Sequence, residues 1–262
     1  MFQIIFAKSC SDKKTNEDIY SYSKKFAMVL DGASGLNHAN IKQTGSDAYW
    51  FVSSLKKEIE KRINSNLPLK EIVRESLNQI IPQYPKVDAG FMPSGCLSLI
   101  RENKDRIEYI GFGDTVALIK TKNKLECLYD HKIQTLDQKA IQAKIKKQEY
   151  LPILIQNRNF RNQPNGYCAL DLTQESLNYC IYKTWKKEDV LSFILMSDGM
   201  YQLKEFLHIN NQDLFQFIAS QKEESLRILY DLQEKDWPNP KILRLKKRDD
   251  TTCLYMKTKD GI

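Results

Sequence analysis

Histidine is scarce in this 262-residue chain, limited to His38, His131 and His208, so a mechanism built on a histidine base has little to draw on. The six cysteines are scattered without a CxxC pair, which argues against both a zinc site and a disulfide framework. No apolar run approaches the roughly 18 residues of a membrane span. The N-terminal stretch MFQIIFAKSCSDKK carries its apolar residues before its lysines, the reverse of a secretory signal, so a cytoplasmic location is expected. Neither a Walker A nor a GxGxxG loop occurs, and SGCLS is no G-x-S-x-G elbow. CLSLIR (96–101) fails as a cysteine-phosphatase loop because it is one residue short and alternates like a strand. The net charge of +7 comes largely from lysines on amphipathic faces such as LKKEIEKR. Without a basic stripe carrying interleaved aromatics, no nucleic-acid partner is expected.

What the chain has is a soluble composition, 42% hydrophobic and 28% charged, with no linker or low-complexity break, so a single domain over 1–262 is expected. FQIIFA reads as a first strand, and IYSYS with KKFAMVL as a hairpin that delivers Asp31 to its end. Apolar residues recur at helical spacing over 46–64 and again over LPLKEIVRESLNQII, predicting two neighbouring helices. CLSLIR, RIEYIGF, TVALIK and LECLY read as a meander whose short turns join antiparallel neighbours. Residues 134–148 look helical and basic, 157–166 a polar loop, SLNYCIYKTW and VLSFILM strands, 202–232 mostly helical, and TTCLYMK a closing strand. This order suits antiparallel sheets with helices packed outside them.

Three strand ends carry acids: FAMVLDGASG (26–35), FILMSDGMY (193–201) and RDDTTCLYM (248–256). Asp-Gly is ordinary turn chemistry when it occurs once. Repeated, it places Asp31, Asp198 and Asp249 where hard divalent cations such as Mg2+ or Mn2+ would find oxygen ligands, with Gly32 and Gly199 allowing close backbone approach. Two such ions about 4 Å apart can acidify a water and orient a phosphoryl group for in-line attack, with no nucleophilic side chain required.

In order along the chain stand TNED (15–18), DGASG (31–35), SGCLSLI (94–100), FGDTVAL (112–118), MSDG (196–199) and DDTT (249–252). This series resembles the metal-dependent protein phosphatases of the PPM type, also called protein phosphatase 2C-like. The resemblance implies an α+β fold, a four-layer α/β/β/α sandwich of two antiparallel sheets flanked by helices. It implies two Mn2+ or Mg2+ ions in a cleft at one end, and a third, weaker one. By resemblance Asp31 bridges both ions, Gly32 offers its carbonyl to one, and Asp198 and Asp249 hold the other. Glu17 and Asp18 bind metal-bound waters, Asp114 joins Asp198 at the third ion, and Thr252 orients Asp249. The implied activity is hydrolysis of phosphoserine and phosphothreonine in proteins, opposing a serine/threonine kinase, with a monomer as the default. A phosphatase-like module that binds a phosphorylated partner or a kinase is the alternative, and a two-metal nuclease a more distant one.

Several positions depart from the family pattern. Lys13 stands where the family grips phosphate with arginine, which forfeits a bidentate fork. Ser34 replaces a glycine, Thr115-Val116 replaces Ser-Arg, Ala33 stands where some members have histidine, and Asp250 replaces asparagine and adds charge beside a ligand. Arg158 and Arg161 could stand in for the missing arginine, although a solvated loop is the simpler expectation for both. His38 is expected on a surface loop, Trp50 in packing, and the tyrosines of IYSYS between the sheets.

Overall fold

The computed structural model describes residues 1–36, 39–237 and 239–259. One sheet contains β1 (Phe2–Cys10), β11 (Thr251–Thr258), β10 (Val190–Met196), β6 (Val116–Thr121) and β7 (Leu125–Leu128), in that spatial order. The other contains β2 (Asp18–Tyr22), β3 (Phe26–Ala33), β4 (Ser94–Asn103), β5 (Arg106–Phe112) and β9 (Ile181–Lys186), with the short β8 (Leu170–Asp171) on β4. All these pairings are antiparallel.

Alternation along the strands produces three apolar layers. Ala27, Val29, Ile107, Tyr109, Phe193, Leu195 and Leu254 meet between the sheets. Met28, Leu30, Leu97 and Leu99 face outward onto α1 (Asp47–Arg62) and α2 (Leu69–Ile80). Ile194, Met196, Cys253 and Tyr255 face the helices of the other side: α5 (Asp198–Tyr201), α6 (Leu203–Leu207), α7 (Asn211–Gln221) and α8 (Glu224–Asp236). The result is the expected sandwich of two antiparallel sheets flanked by helices. Helix α1 starts where Ser46 accepts a hydrogen bond from the Tyr49 amide at 3.1 Å, an N-cap that the sequence offers directly. Trp50 is buried against Tyr84, as packing. Among the described residues no helix is long and apolar enough to cross a membrane.

Some expectations fail in instructive ways. RIEYIGF and TVALIK do not pair: β5 and β6 belong to different sheets. The link Gly113–Thr115 is short, but three extended residues span about 10 Å, which is the spacing of packed sheets. Gly113, at φ +74°, turns the chain across that gap. In SLNYCIYKTW the strand begins only at Ile181, after a 3-10 turn over Glu175–Asn178. Tyr20 packs against the inter-sheet layer, but Tyr22, nearer the open edge, is 42% exposed.

The supposed polar loop 157–166 is largely folded. It begins as the end of α4 (Leu151–Arg158), which follows α3 (Lys132–Ile145). Arg161 is buried and ion-paired with Asp171 at 2.9 Å, and Asn162 donates to the Ala169 carbonyl at 2.8 Å. Neither Arg158 nor Arg161 is a solvated loop residue.

Candidate active site

Strand parity builds the site. Ala27 and Val29 of β3 face the space between the sheets, so Asp31, next of that parity, enters the same space where the apolar core ends. Tyr20 of β2 shares that face, as does Asp18, and the register pairs Asp18 directly with Asp31. From the opposite sheet, β10 ends just before Asp198, which opens α5, and Asp249 immediately precedes the strand β11 by two residues. A Cβ at Gly199 would collide with the Asp250 carbonyl, so glycine there lets these two segments close on each other. Asp114 arrives on the crossover between the sheets.

Asp31, Asp114, Asp198 and Asp249 line one cleft of about 660 Å³, together with Gly32, Glu17 and Lys13. Asp18 lies beneath that surface, 2% exposed. Its two carboxylate oxygens are buried with no hydrogen-bond partner among the described residues. The Thr252 and Ser197 hydroxyls face Asp18, and Thr252 Oγ1 shares a hydrogen bond with Ser9 Oγ at 2.6 Å. Thr252 therefore serves the Asp18 side of the site, and it does not orient Asp249, because its strand parity turns it inward. Neither His131 nor His208 lines the cleft, and His38 lies outside the described residues.

These acids strain each other. Burial, then Asp18, Asp198, Asp114 and Asp249, push the Asp31 carboxyl well above the usual carboxylate range. Burial, then Asp114 and Asp249, does the same to Asp198. Burial raises Asp18 to about 7 and Asp114 to about 6. Cys96, on the same face of β4, has its thiol pushed up by burial and by Asp114 and Asp31.

The departures from the family pattern prove to be wired together. Lys13 Nζ donates to Asp250 at 2.8 Å and to Glu17 at 3.0 Å. Burial would lower its pKa, but those two carboxylates push it up instead. Asp250 also accepts from Ser11 Oγ at 2.5 Å and from the Glu17 amide at 3.0 Å. These donors surround its extra charge, which still reaches Asp18 and helps to raise that carboxyl. Ser34 Oγ donates to the other oxygen of Glu17 at 2.6 Å, and the Ser34 carbonyl accepts from Arg158 at 2.8 Å. The second terminal nitrogen of Arg158 is buried without a hydrogen-bond partner among the described residues, and Arg158 lines the cleft. Lys246 Nζ sits 2.5 Å from Asp249 Oδ1. Sequence reading missed Lys246 because KKRDD looks like one solvated basic run, and missed the burial of Arg158 because α4 has weak periodicity.

The donor set fits hard cations: it is all oxygen, half-buried and mutually repelling, and has orphaned carboxylate oxygens in Asp18. Among the described residues, no group of three or more His, Cys, Asp or Glu side chains is drawn together closely enough to hold a metal ion as the side chains stand. The carboxylates instead ring an open cleft, an arrangement suited to ions that keep several waters.

No protein-family model matches the chain, and no curated protein matches it by sequence. Solved structures do. The catalytic domain of the serine/threonine phosphatase PstP in complex with two manganese ions superposes with a TM-score of 0.53 at 16% identity, over 98% of this chain and 97% of that one. Stp1 from Staphylococcus aureus gives 0.57 at 13%, over 98% and 94%. The PPM Ser-Thr phosphatase MsPP from Mycobacterium smegmatis, in complex with cacodylate, gives 0.53 at 12%, over 97% and 98%. The chain has the PPM phosphatase fold. In that PPM frame, six short motifs spread from residue 15 to residue 252 converge at one end of the sandwich, and each places at least one residue on the cleft wall.

Proposed function

We propose that this chain is a Mn2+- or Mg2+-dependent protein serine/threonine phosphatase whose catalytic domain spans 1–262. One observation carries the proposal: four aspartates from four separate segments line a single cleft, and a fifth, buried beneath, faces only the Ser197 and Thr252 hydroxyls, with no cation paired to it among the described residues. Carboxylates gathered this way raise the energy of the empty site, and divalent cations would relieve it. Asp31, Asp198 and Asp249, with the Gly32 carbonyl, would hold two ions, Asp114 with Asp198 a third, and Glu17 and Asp18 would order the surrounding waters. Bound there, the ions would neutralise phosphoryl charge and make a water acidic enough to attack phosphorus in line.

The chain's own groups supply the rest. Arg158, on the cleft wall with one terminal nitrogen fixed on the Ser34 carbonyl, brings a guanidinium charge to where a phosphoryl group would sit. Lys13 lines the same wall but is held by Glu17 and Asp250, so it acts as a fixed positive charge. With neither His131 nor His208 on the cleft wall, the leaving alkoxide takes its proton from water ordered by Asp114. The names of the structural neighbours, serine/threonine phosphatases, support a phosphorylated protein substrate, and a role opposing a serine/threonine kinase is part of the same proposal. A cytoplasmic monomer is part of the same proposal. The alternative, a module that binds a phosphorylated partner without hydrolysing it, draws on the engagement of Lys13.

The test is hydrolysis of a phosphothreonine peptide by chelator-treated protein, with metal added back. Activity should appear only with Mn2+ or Mg2+. Full activity in excess chelator, or none at saturating metal, overturns the proposal.

A further inference from the structure

Three basic side chains line the cleft among the described residues: Lys13, Arg158 and Lys246. They are placed differently. Lys13 is held by Glu17 and Asp250, and Arg158 by the Ser34 carbonyl. Lys246 alone contacts a member of the aspartate quartet, with its Nζ 2.5 Å from Asp249 Oδ1, and it also feels Asp198. The basic run around it divides on folding. Lys247 turns outward to Glu234 at 2.7 Å, and Arg248 to Asp12 at 2.7 Å and Glu234 at 2.6 Å. Only Lys246 turns inward.

Its surroundings leave it room to move. Lys246 also borders a second cavity of about 560 Å³, between α3 and the segment Ile242–Leu245, that shares Asp114, Asp198 and Asp249 with the first. Its side chain is 50% exposed, so the ammonium can leave Asp249 and recover its hydration in solvent. We propose that Lys246 is a built-in counter-cation, which holds Asp249 in the metal-free protein and which a divalent ion must displace. The proposal rests on the metal reading of Asp249 and Asp198. A species that binds the same carboxylate as the ligand lowers the ligand's apparent affinity by the free energy of the contact it must break.

The measurement is calorimetric titration of MnCl2 into chelator-treated protein, for the unmutated chain, Lys246→Gln, Lys246→Arg and Lys247→Gln. Lys246→Gln should bind Mn2+ about twofold to fivefold more tightly, the range of a partly screened ion pair, and its metal-free form should melt at a lower temperature. Lys246→Arg, which keeps the charge, should stay near the unmutated affinity. Lys247→Gln removes the same charge from the outer face and should also change little, which separates the local contact from net charge. Unchanged or weaker Mn2+ binding by Lys246→Gln refutes the proposal. So does a raised KM at saturating Mn2+ with unchanged Mn2+ affinity, which would assign the ammonium to the substrate. Failure of the unmutated chain to bind Mn2+ would instead refute the metal reading itself.

Discussion

Asp18→Asn should stabilise the metal-free protein, and by more at pH 8 than at pH 5. The Asp18 carboxyl is buried, lacks a hydrogen-bond partner among the described residues, and is raised from 3.8 to about 7. A carboxyl whose folded pKa lies above its unfolded one favours folding of the protonated form. The destabilisation is therefore absent below about pH 4, grows as the pH rises, and levels off above about pH 7. At about 1.36 kcal/mol per unit, the rise between pH 5 and pH 8 is on the order of 2–3 kcal/mol. For a chain of this size that corresponds to a difference in Tm that widens by about 5–10 °C. Asparagine keeps the shape and drops the charge, so the difference between variant and unmutated chain isolates this group. The assay is differential scanning calorimetry in chelator at several pH values, repeated with Mn2+. With metal the gap should shrink, because the cations meet the charge that asparagine removes. A variant that is destabilised equally at pH 5 and pH 8 would show that the Asp18 charge is satisfied in the metal-free protein, and the reasoning would fall.

Asp198→Asn and Asp249→Asn should each lower kcat/KM by about 100-fold or more and weaken Mn2+ binding in titration, while leaving the fold intact; near-normal turnover at saturating metal would show the ligand assignment to be wrong. Arg158→Ala should raise KM for a phosphopeptide about tenfold with a smaller change in kcat, as expected for a charge-assisted contact to phosphate, and an unchanged KM would remove Arg158 from the substrate site. Arg161→Ala should act on stability instead, lowering it by about 2 kcal/mol because the buried Asp171 carboxylate loses its cation and keeps only the Asn162 and Thr173 donors, readable as a shifted urea midpoint with unaltered KM.

The sequence announces those parts of the molecule that follow from local pattern. Period-two alternation in FAMVLDG identifies β3 and also states which face Asp31 shares with Val29, and helical spacing with Ser46 as cap marks α1. The fold class and the gathering of acids at strand ends are legible for the same reason. What fails needs knowledge of partners distant in sequence. Whether the short GD link turns back within one sheet or crosses to the other depends on which layers pack together. The burial of Arg161 depends on Asp171, ten residues on. Lys246 and Lys247 are adjacent and chemically alike, and only the path of the Ile242–Asp249 segment sends one to Asp249 and the other to Glu234. Thr252 was legible as part of DDTT, but its alternation from Leu254 turns it toward Asp18 and away from Asp249.

The departures from the PPM pattern make physical sense only as a group. Lysine for arginine at residue 13 leaves a compact ammonium that cannot grip two phosphate oxygens, and aspartate for asparagine at residue 250 adds a charge beside Asp249. Taken singly, each looks damaging. Together they form an ion pair at 2.8 Å, with Glu17 completing the set at 3.0 Å, so the one charge added, at Asp250, faces the Lys13 ammonium. The fork lost at residue 13 has a geometric counterpart across the cleft in Arg158, which is fixed by the carbonyl of Ser34, itself one of the departures. Ser34 in turn holds Glu17 through its hydroxyl, so a single serine ties the Lys13 pair to the arginine above it. A site losing function would be expected to change without such correspondence. Here the quartet of cleft aspartates is intact, and the altered residues contact one another around it. On the proposed function, that pattern is what a shift of phosphate recognition toward Arg158 would leave behind, and an unchanged KM for Arg158→Ala would count against it.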